Sequence, residues 1–194
     1  PFAGYREIES GRYDGVLTGA SEEVNWMQAG AFDAMRALSR NYNDTPARAS
    51  RPFDAGRDGF VLSGGAGVVF VEELEHARSR GARILAEIAG FGATSDGHDM
   101  VVPWPEGAAS VMREALADAG LEAGQVDYVN AHGTSTPAGD PSEAKAMGAV
   151  FGEDQPWISS TKAITGHGIG AAGALEAIYT ALMLHHGFLA ESCH

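Results

Sequence analysis

The sequence predicts an α/β fold in which helices and strands alternate in layers. Segments with a two-residue hydrophobic period alternate along the chain with segments of 3.6-residue period, the repeats of strands and of helices. Most connections are short and rich in turn-forming residues. The 194 residues are 44% hydrophobic and 20% charged, which is typical of a globular protein with one ordinary core or slightly more.

The first half of the chain contains two predicted strands and two predicted helices. The strands are Asp14–Thr18 (DGVLT) and Gly67–Val71 (GVVFV), and both are dominated by β-branched and apolar residues. The helices are Glu22–Leu38 and Leu74–Arg80, and the first of them stops before the turn-rich NYNDTP. The long connection 39–60, with its Asn, Asp, Pro and Arg residues, indicates a structured surface crossing.

The second half repeats the alternation. A predicted strand, Ile84–Ile88, is followed by a helix, Glu106–Ala119, for which Gly120 is the stop signal. The remaining predicted elements are strand Val126–Asn130, helix Asp140–Val150, strand Trp157–Ser159 and helix Ile169–His186. This last helix is apolar or small on nearly every face apart from Glu176 and Thr180, which predicts that it is buried.

Charge and composition exclude several classes of protein. Thirteen basic against 26 acidic residues give a net charge of -13, which argues against a nucleic-acid partner. The sequence contains no run of eighteen apolar residues, so it predicts no membrane span. The single cysteine, Cys193, allows no internal disulfide, which fits a reducing, cytoplasmic location. It lies in the terminal tail with no group nearby that would activate a thiolate, so we do not expect it to be a nucleophile.

The first candidate for chemistry is VNAHGTSTPAGDPSE, which begins at Val129. His132 follows directly after a predicted strand, and hydroxyls follow at Thr134, Ser135 and Thr136. Catalytic residues of α/β folds commonly lie at the carboxyl ends of strands, so His132 is a candidate catalytic residue. The alternative is a polar turn whose hydroxyls cap local backbone groups.

The second candidate is TKAITGHGIGAAG, which begins at Thr161 and admits two interpretations. Its end matches the G-x-G-x-x-G of dinucleotide-binding loops, although Glu191, the acid at a spacing of about twenty residues, lies in the tail instead of at a strand end. Its beginning supplies Lys162 and His167, and a histidine held at a helix start could donate a hydrogen bond to an oxyanion. The structural alternative to this role is that His167 only satisfies backbone groups at a glycine-rich cap.

Two carboxylates occupy unusual positions for structural residues. Glu176 interrupts the apolar last helix, where an unpaired carboxylate would cost several kcal/mol. Glu143 lies one turn into the helix after HGTST, where it could also simply complement the helix dipole. If the two preceding strands are neighbours, both acids converge with His132, Lys162 and His167 on one pocket.

HGTSTPAGD, from His132, followed by STKAITGHGIGAAG, from Ser160, resembles the β-ketoacyl-acyl-carrier-protein synthases, the condensing enzymes of fatty acid synthesis. The likeness extends through FDAMRALSRNYNDTPARASRPFDAGRDGFVLSGGAG, from Phe32, and AEIAGFGATSDGHDMVVP, from Ala86. NYNDTP and SDGHDM are most similar to the bacterial synthase I type. The resemblance implies a thiolase-like α-β-α-β-α fold, a homodimer, and a decarboxylative Claisen condensation between an acyl-cysteine thioester and malonyl-acyl carrier protein.

The resemblance also implies roles for individual residues. His132 and His167 would donate hydrogen bonds to the malonyl thioester oxygen, and Lys162 and Glu143 would orient and tune them. Thr134 and Thr136 match hydroxyls that bind the pantetheine arm. No cofactor is implied, but Asn130, Glu143 and Glu176 match positions around a structural monovalent cation in some members.

In this comparison the chain is an incomplete thiolase-like fold. Residues 1–82 would end the N-terminal thiolase-like half, and 83–194 would form most of the C-terminal half. The family's nucleophilic cysteine would precede Pro1, and its closing Gly-Phe-Gly-Gly segment would follow residue 194, so we expect the chain alone to form no acyl-enzyme. A non-catalytic thiolase-like partner subunit is the alternative, and a dinucleotide-binding oxidoreductase is a weaker one.

Overall fold

The computed structural model describes residues 2–193 and contains both helices and strands. Seven α-helices and four strands are present in this part of the chain, together with two short 3-10 turns, Pro46–Arg48 and Ala123–Gln125. The predicted α/β class is therefore confirmed. No helix among the described residues is long and apolar enough to cross a membrane.

The chain forms two compact units, and each unit is assembled from separated stretches of sequence. The first unit comprises residues 2–24, 63–88 and 168–189, and the second comprises 25–62, 89–167 and 190–193. The predicted division of the sequence at residue 82 stays a prediction about the halves of the family fold.

The first unit is built around an antiparallel pair of strands. Strand β1 (Gly15–Glu22) pairs along its whole length with β2 (Gly65–Glu72), with Leu17 opposite Phe70. Three helices belong to this unit: α1 (Phe2–Glu9), α3 (Leu74–Ser79) and α7 (Ala172–His186). Helix α7 packs on β2 where Gly67 has no side chain, because a Cβ there would lie 2.8 Å from Ile178 Cδ1.

The second unit is built around a parallel pair of strands. Strand β3 (Tyr128–Asn130) pairs with β4 (Trp157–Ser159), with Asn130 opposite Ser159. The helices of this unit are α2 (Trp26–Ala34), α4 (Pro105–Ala119), α5 (Gly139–Phe151) and α6 (Lys162–Thr165). Helices α4 and α5 pack on each other, and Gly120, with a left-handed φ of 66°, ends α4 as its position predicts.

Three sequence expectations about elements are wrong. Residues 82–91, which include the predicted strand Ile84–Ile88, have neither helix nor strand. Helix α2 begins at Trp26 instead of Glu22, because Glu22 pairs with Gly65 in the β1–β2 ladder and Asn25 then caps the helix through Gln28 N–H (2.9 Å). Tertiary pairing here overrides helical periodicity.

The third correction concerns the last helix, α7. It begins at Ala172, not Ile169, because residues 169–171 form a turn in which Ile169 has a left-handed φ of 35°. Only Ala172, Ala174 and Met183 of this helix are buried, and its last four residues except Met183 are exposed. The expectation of a fully buried helix is therefore wrong for this chain, in which the described residues cover only part of the helix surface.

Candidate active site

Two predicted motifs follow neighbouring strands of the second unit. Because β3 and β4 are parallel, their carboxyl ends meet at one edge, and the ladder continues with the N–H of Ala131 donating to Ser159 O at 2.8 Å. His132 comes directly after the first strand, and Lys162 comes three residues after the second. The structure thus confirms that the strands are neighbours, on which the predicted convergence depends.

The backbone of His132 is held by two charged side chains. Its N–H donates to Glu143 Oε1 at 2.7 Å, and the next N–H, of Gly133, donates to Glu143 Oε2 at 2.7 Å. Lys162 Nζ donates to the carbonyl oxygen of His132 at 2.7 Å. Glu143 reaches the loop because it lies in the second turn of α5, which follows that loop. The carboxylate and the ammonium therefore fix the main chain that carries the imidazole.

Lys162 is the most unusual of these groups because its side chain is buried. Only 2% of the residue is exposed. A buried ammonium is tolerated when hydrogen-bond acceptors replace water, and the His132 carbonyl is one such acceptor. Its charge acts on the neighbouring groups: it disfavours protonation of both site histidines and favours ionisation of Glu143.

His167 is held by the segment that follows residue 59. Its N–H donates to Val61 O at 2.8 Å, and it forms a parallel bridge with Leu62. The buried ring of Phe60 meets the His167 ring edge to face, with centroids 5.2 Å apart. His167 is thus held as an isolated bridge residue, and the expectation that it lies immediately before the last helix is wrong, since α7 starts five residues later.

The two imidazoles meet each other at a right angle. Their centroids are 5.2 Å apart, with an interplanar angle of 86°. Burial, then the charges of Lys162 and His167, lower the pKa of His132 to about 3, and burial followed by Lys162 lowers that of His167 to about 4. Solvent at the exposed part of His132 moderates its shift, but the direction leaves both rings neutral at pH 7.

Neutral imidazoles at this distance can share a ligand. Each neutral ring carries one N–H donor and one acceptor nitrogen. His167 Nδ1 is buried and lacks a hydrogen-bond partner among residues 2–193. Such an unpaired atom is destabilising, so its presence calls for a functional explanation. Burial raises the pKa of Glu143, the opposing effects of two backbone N–H groups and Lys162 being smaller.

The loop that carries the predicted pantetheine hydroxyls is anchored by Asp140. This carboxylate is 1% exposed and accepts the N–H groups of Thr134, Ser135 and Thr136 at 3.1–3.2 Å, and that of Phe53 at 2.7 Å. The Thr134 and Thr136 hydroxyls lie 3.1 Å apart and bond to each other. Their role toward a substrate stays a prediction.

Sequence reasoning missed three contributors to this site. Phe60 supports His167, Asp140 was identified only as a helix start, and the Arg57 side chain donates to the Thr136 and Pro137 carbonyls. Arg57 also lies 3.9 Å from the carboxylate of Asp140. The contacts of Phe60 with His167, of Phe53 with Asp140 and of Arg57 with Thr136 each join residues more than seventy positions apart, so no local pattern could have identified these contacts.

The predicted set separates into two groups. Asn130, His132, Glu143, Lys162 and His167 belong to the second unit, whereas Glu176 lies on α7 in the first. Within residues 2–193 no cluster of three or more His, Cys, Asp and Glu side chains is suited to a metal ion. Both oxygens of Glu143 already bind backbone N–H groups. A structural cation at Asn130, Glu143 and Glu176 therefore stays a prediction.

The glycine motif lacks the context of a dinucleotide loop. Such a loop follows a strand directly, whereas Gly168 is preceded by the short helix α6 and the single bridge residue His167. In the first unit, a Cβ on Gly168 would meet Ala171 and Leu175 at 3.7–3.8 Å, which is ordinary van der Waals contact. The structure gives no support to the oxidoreductase alternative.

The second unit of this α/β chain thus brings together two histidines of lowered pKa and a buried lysine. The sequence profiles of the beta-ketoacyl synthase N-terminal and C-terminal domains match residues 3–77 and 85–194. The chain belongs to the beta-ketoacyl synthase family, and its fold is thiolase-like, as in related ketosynthase structures.

Individual relatives sharpen this assignment. The chain is 58% identical to 3-oxoacyl-[acyl-carrier-protein] synthase 1 of Escherichia coli over 96% of its own length and 45% of that protein. A beta-ketoacyl synthase crystal structure from Burkholderia phymatum has a TM-score of 0.91 at 47% identity, covering 94% of this chain and 44% of that one.

A third relative has a carrier protein bound. A type II polyketide ketosynthase in complex with its acyl carrier protein, bound to a hexaketide, has a TM-score of 0.91 at 36% identity, covering 94% of this chain and 46% of that one. The chain thus spans somewhat less than half the length of these relatives.

Proposed function

We propose that this chain supplies the His/His/Lys part of a β-ketoacyl-acyl carrier protein synthase, an acyltransferase of fatty acid biosynthesis. The observation that carries the proposal is the perpendicular pair of neutral imidazoles, His132 and His167, beside the buried Lys162. The 58% identity to a 3-oxoacyl-[acyl-carrier-protein] synthase supports the same reaction.

The proposed reaction begins with malonyl-acyl carrier protein in the site. The bond between its α-carbon and carboxylate breaks, carbon dioxide leaves, and the electron pair remains as an enolate of the thioester. Two N–H donors, one on His132 and one on His167, stabilise the negative charge on the thioester oxygen. A protonated imidazole would give its proton to the enolate, so neutrality of both rings suits this step.

The enolate carbon then attacks the carbonyl carbon of an acyl thioester on a cysteine. The carbon–sulfur bond breaks, the thiolate leaves, and the product is 3-oxoacyl-acyl carrier protein. Cys193 is not proposed for this role, because the family resemblance matches it to a non-catalytic position. The nucleophile would come from another part of the synthase.

The proposed partners are the acyl carrier protein and the acyl and malonyl thioesters that it delivers. Support comes from the related ketosynthase that is bound to its acyl carrier protein. We also propose a cytoplasmic homodimer that requires no cofactor, consistent with the single cysteine and with the family resemblance. A structural monovalent cation would show as a potassium-dependent rise in melting temperature.

Release of carbon dioxide from malonyl-acyl carrier protein tests this function. The assay uses the complete polypeptide that the gene encodes, whether or not it extends beyond these residues. We expect His132→Ala to reduce the rate about 100-fold, because one lost oxyanion donor typically costs that much. The matched control is His76→Ala, which removes an exposed histidine that bonds to Glu72.

The outcomes separate the alternatives. Background decarboxylation by the unsubstituted protein would contradict the proposal and would favour a non-catalytic thiolase-like partner subunit. Equal activity of the His132 and His76 variants would show that the imidazole pair is not the oxyanion site. Binding of a nicotinamide cofactor would favour the oxidoreductase.

A further inference from the structure

Ser160 is a fully buried hydroxyl between the end of β4 and Lys162. Its exposed fraction is 0%. Its Oγ donates to the carbonyl oxygen of Gly133 at 2.8 Å and accepts the N–H of Lys162 at 3.3 Å. Its own N–H donates to Ser192 Oγ at 2.9 Å. One hydroxyl therefore joins the loop that carries His132 to the segment that carries Lys162.

This hydroxyl completes the support of the His132–Gly133 dipeptide. Glu143 accepts both N–H groups, and Lys162 Nζ binds the first carbonyl. The second carbonyl is bound by Ser160. All four polar backbone atoms of the dipeptide are thus held by three side chains, and the contact with Ser160 is the one that is fully buried, so its loss leaves a buried carbonyl without its partner.

The close packing around Gly133 prevents a water molecule from taking the place of the Ser160 hydroxyl. Gly133 has a left-handed φ of 30°, and a Cβ there would lie 2.8 Å from both the Ser160 Cβ and the Phe53 ring. The volume left by one hydroxyl is smaller than the roughly 30 Å³ that a water molecule occupies in the liquid. Removing the hydroxyl would therefore leave the Gly133 carbonyl unbonded instead of hydrated.

The same hydroxyl also fixes the position of Lys162. Helix α6 begins at this lysine, and Thr161 provides no side-chain cap for it. Ser160 supplies an acceptor for the first N–H of the helix, while Ser50 Oγ donates to the Lys162 carbonyl at 2.5 Å. A shift of this backbone would move the ammonium that binds the His132 carbonyl.

We propose that Ser160 is a positioning residue that sets His132 and Lys162 relative to each other for oxyanion stabilisation. The inference rests on the proposed function, because it assigns Ser160 to the same decarboxylation site. Ser160 does not touch the substrate in this account. It acts by holding the main chain beside His132, which contacts the substrate, and the main chain of Lys162, which supports His132.

The test compares Ser160→Ala with Ser159→Ala in the complete gene product. Ser159 is also buried, with 6% exposed, but its hydroxyl bonds to the Ala190 carbonyl and the Tyr128 hydroxyl instead of to Gly133 and Lys162. We expect Ser160→Ala to lower kcat for decarboxylation of malonyl-acyl carrier protein about 10-fold or more with KM changed less than twofold, because the donor is misplaced. Ser159→Ala should leave kcat within twofold.

A second variant keeps the test decisive if alanine prevents folding. Ser160→Cys retains nearly the same shape but donates only weakly, so it should also lower kcat selectively. Equal kcat values for the Ser160 variants and Ser159→Ala would overturn the inference. Loss of the folded state in both Ser160 variants would also overturn it, since the hydroxyl would then serve folding. An inactive unsubstituted protein would instead contradict the proposed function.

Discussion

Neutrality of the two site histidines is the residue-scale property from which the proposed chemistry follows. His132 and His167 have pKa values lowered to about 3 and about 4 by burial and by the nearby Lys162. An imidazole with an ordinary pKa of 6.5 would be partly protonated at the lower end of the physiological range. The depressed values keep the donor pair unchanged across that range.

These pKa values also predict how stability depends on pH. Between pH 6.5 and about 4 the unfolded chain binds protons at both histidines that the folded chain does not, so acidification favours unfolding. We expect the free energy of unfolding to fall as pH decreases through this window and to be insensitive to these two groups above pH 7.

Denaturant titrations at pH 7, 6 and 5 measure this dependence. Carboxylates also contribute near pH 5, so the comparison is with the double variant His132→Gln, His167→Gln, which should lose less stability on acidification. Histidine NMR resonances give the protonation directly. Identical pH dependence in the two proteins, or imidazoles that titrate near pH 6.5, would contradict the neutral pair.

At the scale of elements, the loop between β3 and α5 depends on a carboxylate at the start of the helix. Asp140 accepts four backbone N–H groups, three from the loop and one from Phe53, and lies 3.9 Å from Arg57. Such a concentration of buried donors on one carboxylate makes it the principal anchor of the loop. The helix start therefore organises the loop that carries Thr134 and Thr136.

We expect Asp140→Ala to destabilise the protein by about 3 kcal/mol or more, since it leaves several buried donors unpaired. Chemical denaturation provides the measurement. Lys145→Ala, an exposed change on the same helix, is the control and should alter stability by less than about 0.5 kcal/mol. A loss of under about 1 kcal/mol for Asp140→Ala would show that water replaces the carboxylate.

At the scale of the whole molecule, the chain exposes an apolar face on the β1–β2 ladder. Leu17, Val68 and Phe70 are 73%, 64% and 54% exposed, and Leu17 pairs directly with Phe70. Alternation along the strands places these side chains on one face of the ladder. Contiguous apolar surface of this kind is uncommon on isolated proteins and promotes association.

We therefore expect the 194-residue chain to bind a hydrophobic dye and to self-associate despite its net charge of -13. The double variant Leu17→Ser, Phe70→Ser should reduce both effects, because it removes apolar area without touching the covered face of the ladder. Sedimentation velocity gives the association state. Leu121→Ser, at an exposed leucine of the second unit, is the control; a monomeric unsubstituted chain would contradict the expectation.

Local sequence patterns are sufficient to predict several parts of this structure. The strand Trp157–Ser159, the stop of α4 at Gly120 and the α/β class follow from periodicity and turn chemistry, and these depend only on neighbouring residues. The motifs around His132 and His167 identified the family, because the spacing of functional side chains within one loop is itself local information.

Tertiary structure decided what links those local features. The start of α2 depends on the pairing of Glu22 with Gly65, and residues 84–88 form no strand despite a strand-like pattern. The contact of Phe60 with His167 and the contact of Ser160 with Gly133 join residues that are far apart in sequence. The sequence by itself determined which residues are available for chemistry. Only the fold decided their surroundings, in which desolvation and then the charge of Lys162 lower the pKa of both histidines.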